Sequence, residues 1–180
     1  LSQLNAGIGI FQNSIKDFID VDPGIKKYNN LGEFKIQGLE PELRFDWKDY
    51  GSAFINYTYL FKAEDENGND MPDIAEETAN VGVNVKAWKY LNTNCTLSHI
   101  GKRNRPTNYQ NDVADENKRN NLGSYERVNL VLTSGNLPVE ISAGIYNLFD
   151  VQSFNPIHVR ADYDVEHPGR SFLVKVGYKL

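Results

Sequence analysis

The sequence predicts an all-β fold, an antiparallel up-and-down meander of about eight strands. Apolar and polar residues alternate with a period of two along most of the chain, the pattern of strands that have one apolar face. The connections between these segments alternate between short turns and long polar loops. No segment shows the period of about 3.6 residues that an amphipathic helix requires, so a βαβ architecture is not expected.

The first two strands are separated by a clear turn signal. The first covers residues 4–10 and continues irregularly up to Asp22-Pro23-Gly24, a strong turn sequence. The second covers residues 34–47, and its alternation changes phase at Gln37-Gly38. Pro41 lies in the apolar row of this strand and removes one backbone donor, so we expect a bulge or weakened pairing there.

Six further strands follow. They are predicted at residues 51–61, 81–87, 94–98, 127–133, 139–145 and 170–180. The third strand of the chain has the length of about eleven residues that a tilted membrane crossing needs. Trp88 is out of phase with the strand before it, so a bulge is expected beside it. The last strand alternates most regularly and ends on its apolar face, as a closing barrel strand does, although the edge of a soluble sandwich has the same pattern.

The lengths of the connections favour a membrane barrel. Short turns are expected near residues 48–51, 90–92 and 134–136, and long loops near residues 22–33, 62–77, 102–122 and 148–169. In a meander this alternation places every short turn at one end and every long loop at the other, as in outer-membrane barrels. Greek-key sandwiches mix both lengths at both ends. Aromatic residues typical of an interfacial belt lie near the short-turn end: Trp47, Tyr50, Trp88, Tyr90 and Tyr178.

Composition excludes several classes of protein. The net charge of −5, without a basic stripe, argues against a nucleic-acid partner. The single cysteine, Cys95, excludes an internal disulfide and a cysteine-rich metal site. The sequence contains no run of about 18 apolar residues, so no membrane-spanning helix is predicted. No Ser/His/Asp or Cys/His set has a meaningful spacing, so we expect no enzymatic activity and no cofactor.

Four motifs, in this order, carry a resemblance to a known family. They are Tyr28-Asn29-Asn30-Leu31-Gly32-Glu33 leading to Gln37-Gly38-Leu39-Glu40, then His99-Ile100-Gly101-Lys102-Arg103, Asn147-Leu148-Phe149-Asp150, and Pro168-Gly169-Arg170-Ser171. Together they resemble the C-terminal barrel portion of TonB-dependent outer-membrane receptors. The sequence departs from the family pattern at His99, where an aromatic residue is usual, and at Leu180, where the family normally ends on an aromatic residue.

The resemblance implies both an architecture and a role. Residues 1–180 would form the C-terminal part of a barrel of about 22 strands, without the plug, the N-terminal barrel strands or the segment that contacts TonB. The location would be the bacterial outer membrane, and the full receptor would take up a metal chelate of the siderophore type or a similar nutrient. TonB would be contacted only through the absent N-terminal parts.

The predicted partner of the apolar face is the lipid bilayer. The residues expected to face lipid are Val81, Val83, Val85, Val128, Leu130, Leu132, Phe172, Val174 and Val176. Two alternatives remain open at this point. One is a self-contained eight-stranded outer-membrane barrel with a structural or adhesive role, and the other is a soluble lipocalin-like barrel that binds a ligand in an apolar interior.

Two long loops carry the residues expected nearest a ligand entrance. Arg103, Arg105 and Tyr109 open one loop, and His158 and Arg160 lie in the last loop. Arginine attracts an anionic chelate, and tyrosine can stack on it or donate a hydrogen bond. A polar loop close to charged lipid head groups explains the same residues, and of the two ligand roles we expect steering of the chelate rather than direct contact.

One acidic loop weakly resembles a calcium site. Asp65, Asn67, Asn69 and Asp70 place oxygen atoms around Gly68. The loop lacks the spacing and the closing glutamate of an EF-hand, and a solvated acidic loop is the simpler interpretation. No other metal site is predicted.

Overall fold

In the computed structural model the chain forms one large antiparallel sheet with three small ones beside it. The structure describes residues 2–22, 27–30, 32–68, 70–71, 73–104, 121–135, 137–155 and 164–178. The large sheet contains, in spatial order, β1 (Gln3–Ile15), β4 (Phe34–Trp47), β5 (Gly51–Asp65), β6 (Glu77–Trp88), β7 (Leu91–Ile100), β10 (Tyr125–Ser134), β11 (Val139–Tyr146) and β14 (Ser171–Tyr178). The predicted all-β meander of eight strands is therefore confirmed. The described ranges include no helix with the length and apolarity needed to span a membrane.

The six short strands form hairpins inside three of the long loops. They pair as β2 (Ile19–Asp22) with β3 (Lys27–Asn30), β8 (Arg103–Asn104) with β9 (Asn121–Leu122), and β12 (Phe154–Asn155) with β13 (Val165–Glu166). The irregular continuation of the first predicted strand is thus a separate strand, β2, which turns back on β3. The strand order places all long loops at one end of the sheet and all short turns at the other, as predicted.

One face of the large sheet is apolar from edge to edge. A row of directly opposed residues crosses all eight strands: Leu4, Phe45, Ala53, Val83, Cys95, Leu130, Ile145 and Phe172. The next row toward the long loops contains Ala6, Leu43, Ile55, Val81, Leu97 and Val128. Because directly opposed residues point to the same side of a sheet, these rows form one continuous apolar surface.

The other face is polar and carries hydrogen bonds between neighbouring strands. Asn94 Nδ2 donates to Asn84 Oδ1 at 2.6 Å, and Ser98 Oγ donates to Asn80 Oδ1 at 2.8 Å. Glu42 lies on the same face, opposite Gly7 on one side. Such a face suits the wet interior of a barrel.

The sheet has almost no hydrophobic core of its own. Among the described residues, only two hydrophobic side chains are buried, Phe34 at 7% exposure and Leu122 at 4%. Phe172 and Val176, in the apolar rows of β14, are 71% and 70% exposed. The described residues therefore leave this apolar face uncovered.

The sheet is open, which corrects two of the alternatives. β1 pairs only with β4, and β14 pairs only with β11, so no pairing joins the first and last strands within the described ranges. A self-contained eight-stranded barrel and a lipocalin-like barrel both require that closure. The described strands form an open sheet rather than a closed small barrel.

The irregularities expected from the sequence are present. The β4–β5 register shifts between Gln37 and Gly38, and the β6–β7 register shifts between Lys86 and Trp88. At Pro41 the paired positions of β4 and β5 are interrupted, although the pairing of Pro41 with β1 continues. A proline without an N–H accounts for this one-sided gap.

Candidate functional site

The candidate functional site lies at the bases of three long loops. Arg103 lies at its centre, in the short strand β8, and is only 7% exposed. Its guanidinium donates from Nη1 to Asp73 Oδ1 (3.2 Å) and to Asn155 Oδ1 (3.0 Å), and from Nη2 to the Phe154 carbonyl. One side chain therefore joins the β7–β10 loop to both the β5–β6 loop and the β11–β14 loop.

Backbone contacts hold the same loop bases. Arg103 forms an isolated β-bridge with Ala75, and the Asp73 N–H donates to the Asn104 carbonyl at 2.8 Å. In the last loop, the His167 N–H donates to the Ser153 carbonyl at 2.9 Å, next to the pairing of β12 with β13. Main-chain hydrogen bonds thus lie beside the side-chain contacts of Arg103 at these loop bases.

Tyr125 and Arg127, at the start of β10, complete the site. The guanidinium carbons of Arg103 and Arg127 lie 5.8 Å and 5.1 Å from the centre of the Tyr125 ring, within cation–π range. Arg127 also donates from Nη2 to Ser153 Oγ, a buried hydroxyl. The Nε atoms of both arginines are buried without a hydrogen-bond partner, which disfavours this arrangement unless other contacts compensate.

His167 is the titratable group of the site. Its Nε2 lies 2.9 Å from Asn155 Oδ1, the same oxygen that accepts from Arg103. Because that oxygen is an acceptor, we assign the proton of the neutral ring to Nε2. Burial lowers the pKa of His167, and the positive charges of Arg127 and Arg103 lower it further.

We call this set the loop-base cluster; its members are Asp73, Arg103, Tyr125, Arg127, Ser153, Asn155 and His167. Among these side chains two arginines face a single carboxylate and His167 is neutral, so the cluster carries one net positive charge. A positive site at the loop end attracts anionic groups that approach from that side. The same contacts fix the positions of three loops relative to one another.

A second polar contact closes the base of the last loop. Asn147 is 3% exposed and has φ of 52°; its Nδ2 donates to the Val151 carbonyl at 3.0 Å and its Oδ1 accepts from the Val151 N–H at 2.9 Å. Asp150 Oδ1 accepts from the Arg170 N–H at 2.6 Å. A Cβ atom on Gly169 would lie 2.8 Å from that carboxylate oxygen, so a larger residue there would require the Asp150 side chain to shift. The two ends of this loop, residues 147–150 and 168–171, are therefore joined by a hydrogen bond between the two motifs.

Of the five predicted entrance residues, the structure describes only Arg103. Arg103 lies at the long-loop end as expected, but its guanidinium is engaged in the loop-base cluster rather than exposed in an open loop. Arg105, Tyr109, His158 and Arg160 lie outside the described residues. Their role at a ligand entrance stays a prediction.

The predicted calcium loop forms a hydrogen-bonded turn. The Asn67 N–H donates to Asp65 Oδ1 at 2.8 Å, and the Gly68 N–H donates to the Asp65 carbonyl at 3.1 Å. Asp70 pairs with Glu64 through an isolated bridge, and Asn69 lies outside the described residues. In the part of the chain that the structure describes, no three His, Cys, Asp or Glu side chains are grouped to hold a metal ion. Calcium binding at this loop stays a prediction.

Sequence reasoning did not find the partners of Arg103. Asp73 and Asn155 lie 30 and 52 residues away from it along the chain, in different loops. A local pattern cannot reveal such a pairing. The sequence indicated only the location of these side chains. Tyr125 and Arg127 begin a strand directly after a long loop, and His167 directly precedes Pro168, so all three lie at the long-loop end.

His99, which departs from the resembled motif, lies on the apolar face near its loop end. Its Nδ1 lies 2.8 Å from Glu126 Oε1, and its Nε2 lies 3.8 Å from Glu77 Oε1. Tyr57 donates its hydroxyl hydrogen to Glu77 Oε2 at 2.9 Å. These polar contacts lie one row closer to the long loops than Ile55, Val81, Leu97 and Val128, on the same face of the sheet.

These features define a class of protein: an open antiparallel wall with one apolar face, one polar face and its long loops gathered at one end belongs to a membrane β-barrel. The sequence model of the family described as TonB dependent receptor-like, beta-barrel, matches residues 2–148. The chain belongs to this family of TonB-dependent receptor barrels, which are transport receptors of the outer membrane.

Individual relatives agree with this assignment. The probable TonB-dependent siderophore receptor PiuA of Acinetobacter baumannii is 26% identical over 196 residues, which cover 99% of this chain and 25% of PiuA. A crystal structure of a variant of the ferric enterobactin receptor PfeA from Pseudomonas aeruginosa has a TM-score of 0.75 at 22% identity, covering 96% of this chain and 28% of that chain. A crystal structure of the siderophore receptor PiuA from Acinetobacter baumannii has a TM-score of 0.68 at 23% identity, covering 97% and 26%. The solved structures share the fold, and the chain spans about a quarter of the length of these relatives.

Proposed function

We propose that the full-length protein is an outer-membrane receptor that takes up a ferric siderophore or a similar metal chelate. The observation that carries the proposal is the similarity, over 99% of this chain, to a probable TonB-dependent siderophore receptor. The positive loop-base cluster supports it, because many ferric chelates are anions and the cluster lies at the end of the sheet that carries the long loops.

We infer that residues 1–180 form the C-terminal part of the barrel. The plug, the N-terminal barrel strands and the segment that contacts TonB then belong to the remainder of the full-length protein. In this proposal the chain contributes a section of the wall and several outer loops, and its role is in transport rather than catalysis. Energised uptake needs TonB, which acts through the remainder of the protein.

We also propose that the ligand enters from the long-loop end of the bacterial outer membrane. The candidate contacts near that entrance are Arg105, Tyr109, His158 and Arg160, with Arg103 at the loop base below them. Arginine and tyrosine suit an anionic aromatic chelate, because the first pairs with its charge and the second stacks on its rings.

Uptake of radioactive iron tests the proposal. The full-length receptor is produced in a bacterial host from which the host's own siderophore receptors have been deleted. Ferric enterobactin is the first probe, because a PfeA variant was solved in complex with enterobactin. We expect iron uptake above that of the empty-vector host, and loss of uptake when TonB is deleted.

The control is surface labelling of an outer loop, which verifies that the receptor reaches the membrane. A correctly inserted receptor that takes up no iron from ferric catecholates, ferric hydroxamates or ferric citrate, with TonB present, contradicts the proposal. Uptake that persists without TonB contradicts the energised mechanism.

A further inference from the structure

In the loop-base cluster, Arg103 makes contacts between loops that a charged residue at a ligand entrance would not make. Three acceptors on two other loops converge on its guanidinium: Asp73 Oδ1, Asn155 Oδ1 and the Phe154 carbonyl. Its charge is paired with Asp73 at 3.2 Å, and the side chain is 9% exposed. A buried and paired charge has little influence on a distant anion, because its field is largely cancelled by its partner.

We propose that Arg103 is a positioning residue for ligand capture: it holds the bases of three outer loops in fixed relative places and acts on the ligand through them, without touching it. The effect on ligand binding rests on the proposed function. The coupling of the three loops does not.

The arrangement of the acceptors suits the planar guanidinium of arginine, with its several N–H donors, better than the ammonium group of lysine. A guanidinium offers five N–H donors in one plane, and here two of its nitrogens reach acceptors on two loops while its central carbon lies 5.8 Å from the centre of the Tyr125 ring. An ammonium group keeps the charge but lacks the planar fork, so it cannot reproduce this set of contacts. Lysine at this position therefore separates a role in positioning from a role in electrostatic steering.

The chain offers a matched control one residue away. Lys102 is exposed and precedes the same loop base, and it takes part in none of the contacts of the loop-base cluster. Lys102→Met removes a positive charge from the same place in the fold and leaves the Arg103 guanidinium and its contacts in place. Arg103→Lys does the reverse, because it removes the fork and keeps the charge.

The first experiment measures amide hydrogen exchange in the full-length receptor, in detergent micelles, for the wild type, Arg103→Lys, Arg103→Met and Lys102→Met. The informative amides are those of Asp73, which donates to the Asn104 carbonyl, and His167, which donates to the Ser153 carbonyl. In both Arg103 variants we expect exchange at both amides to rise by at least about tenfold, although they lie in loops that do not contain the substitution. In Lys102→Met we expect no change.

The second experiment measures the affinity of the same proteins for ferric enterobactin. If Arg103 positions the loops, Arg103→Lys weakens binding about as much as Arg103→Met, by about tenfold or more. If Arg103 only steers the ligand, Arg103→Lys binds like the wild type and Lys102→Met binds more slowly at low salt.

Three outcomes separate the possibilities. Wild-type exchange at Asp73 and His167 in Arg103→Lys overturns the proposal, and so does wild-type affinity in that variant. If Arg103→Met does not fold, Arg103→Lys still decides, because it retains the charge opposite Asp73. If the wild type binds no ferric enterobactin, the ligand part of the proposed function fails for this probe, while the exchange data alone confirm or overturn the coupling of the loops.

Discussion

At the scale of single residues, a few buried polar side chains determine how the loops leave the sheet. Asn147 adopts φ of 52°, a left-handed conformation that asparagine tolerates better than most residues. Its side chain then satisfies both the N–H and the carbonyl of Val151, which no strand partner satisfies. A single asparagine therefore replaces the hydrogen bonds that the chain loses where β11 ends.

Replacing Asn147 tests this account. Asn147→Ala removes both side-chain contacts and leaves a non-glycine residue in the left-handed region, so we expect a loss of about 1–3 kcal/mol in the free energy of unfolding. Urea unfolding of the full-length receptor in lipid vesicles measures it. Asn147→Gly separates the two causes, because it relieves the backbone strain but restores no hydrogen bond. A wild-type midpoint in Asn147→Ala would remove the side chain from the account.

The charge state of His167 makes the loop-base cluster sensitive to pH. Its pKa lies below the usual value of about 6.5, so the unfolded chain binds a proton more readily than the folded cluster does. The stability that neutral His167 contributes is present above about pH 6.5 and is lost as the pH falls through the lowered pKa. The closed cluster should thus loosen at mildly acidic pH.

The distance between spin labels on the β7–β10 and β11–β14 loops, followed from pH 8 to pH 5, tests this expectation. The wild type should show a broader distance distribution at the acidic end. His167→Gln keeps an N–H donor toward Asn155 but cannot titrate, and it should show no such change. An equal change in both proteins would assign the pH dependence to another group.

At the scale of secondary structure, the strands could be predicted and the loop-base cluster could not. The strands follow from alternation within a few residues, so the limits of β4 and β14 are predicted closely, whereas β6 begins four residues before its predicted start. The bulge beside Trp88 could also be predicted, because it interrupts the same local pattern. The contact between Arg103 and Asn155 depends on the relative placement of two loops, which no local pattern contains.

The alternation along β6 gives a direct prediction for the two faces of the sheet. Val83 lies in the apolar row that crosses all eight strands, and Asn84 Oδ1 accepts a hydrogen bond from Asn94 Nδ2 on the polar face. Val83→Arg should lower the stability of the membrane-folded receptor by about 2–4 kcal/mol, since it places a charge toward the hydrocarbon region. Asn84→Arg should cost much less, because it points into the polar interior. Equal losses in unfolding measurements on the two variants would contradict the assignment of the faces.

At the scale of the whole molecule, the chain is a section of wall that depends on its surroundings. The sheet has two open edges, at β1 and β14, and its apolar face is not covered by the described residues. In the full-length barrel that we propose, neighbouring strands would satisfy the edges and lipid would cover the face. The same features that suit a barrel therefore make the separate piece unsuited to water.

We expect that residues 1–180 produced alone in water do not remain a flat monomeric sheet. They should associate edge to edge or face to face, or curl so that β1 and β14 become protected. Analytical ultracentrifugation without detergent, together with amide exchange, measures both outcomes. A soluble monomer in which both edge strands exchange freely would contradict this expectation.

The central claim is that one face of this sheet meets the bilayer and the other meets the barrel interior, and lipid quenching tests it most directly. In a Cys95→Ser background of the full-length receptor, single cysteines at Val81, Val83 and Val85 and at Asn80 and Asn84 are labelled with a small fluorescent dye. The account predicts that lipids with brominated acyl chains quench the dye at the three valine positions and not at the two asparagine positions, because strand side chains alternate between faces. Equal quenching at all five positions, or stronger quenching at Asn80 and Asn84, would contradict it.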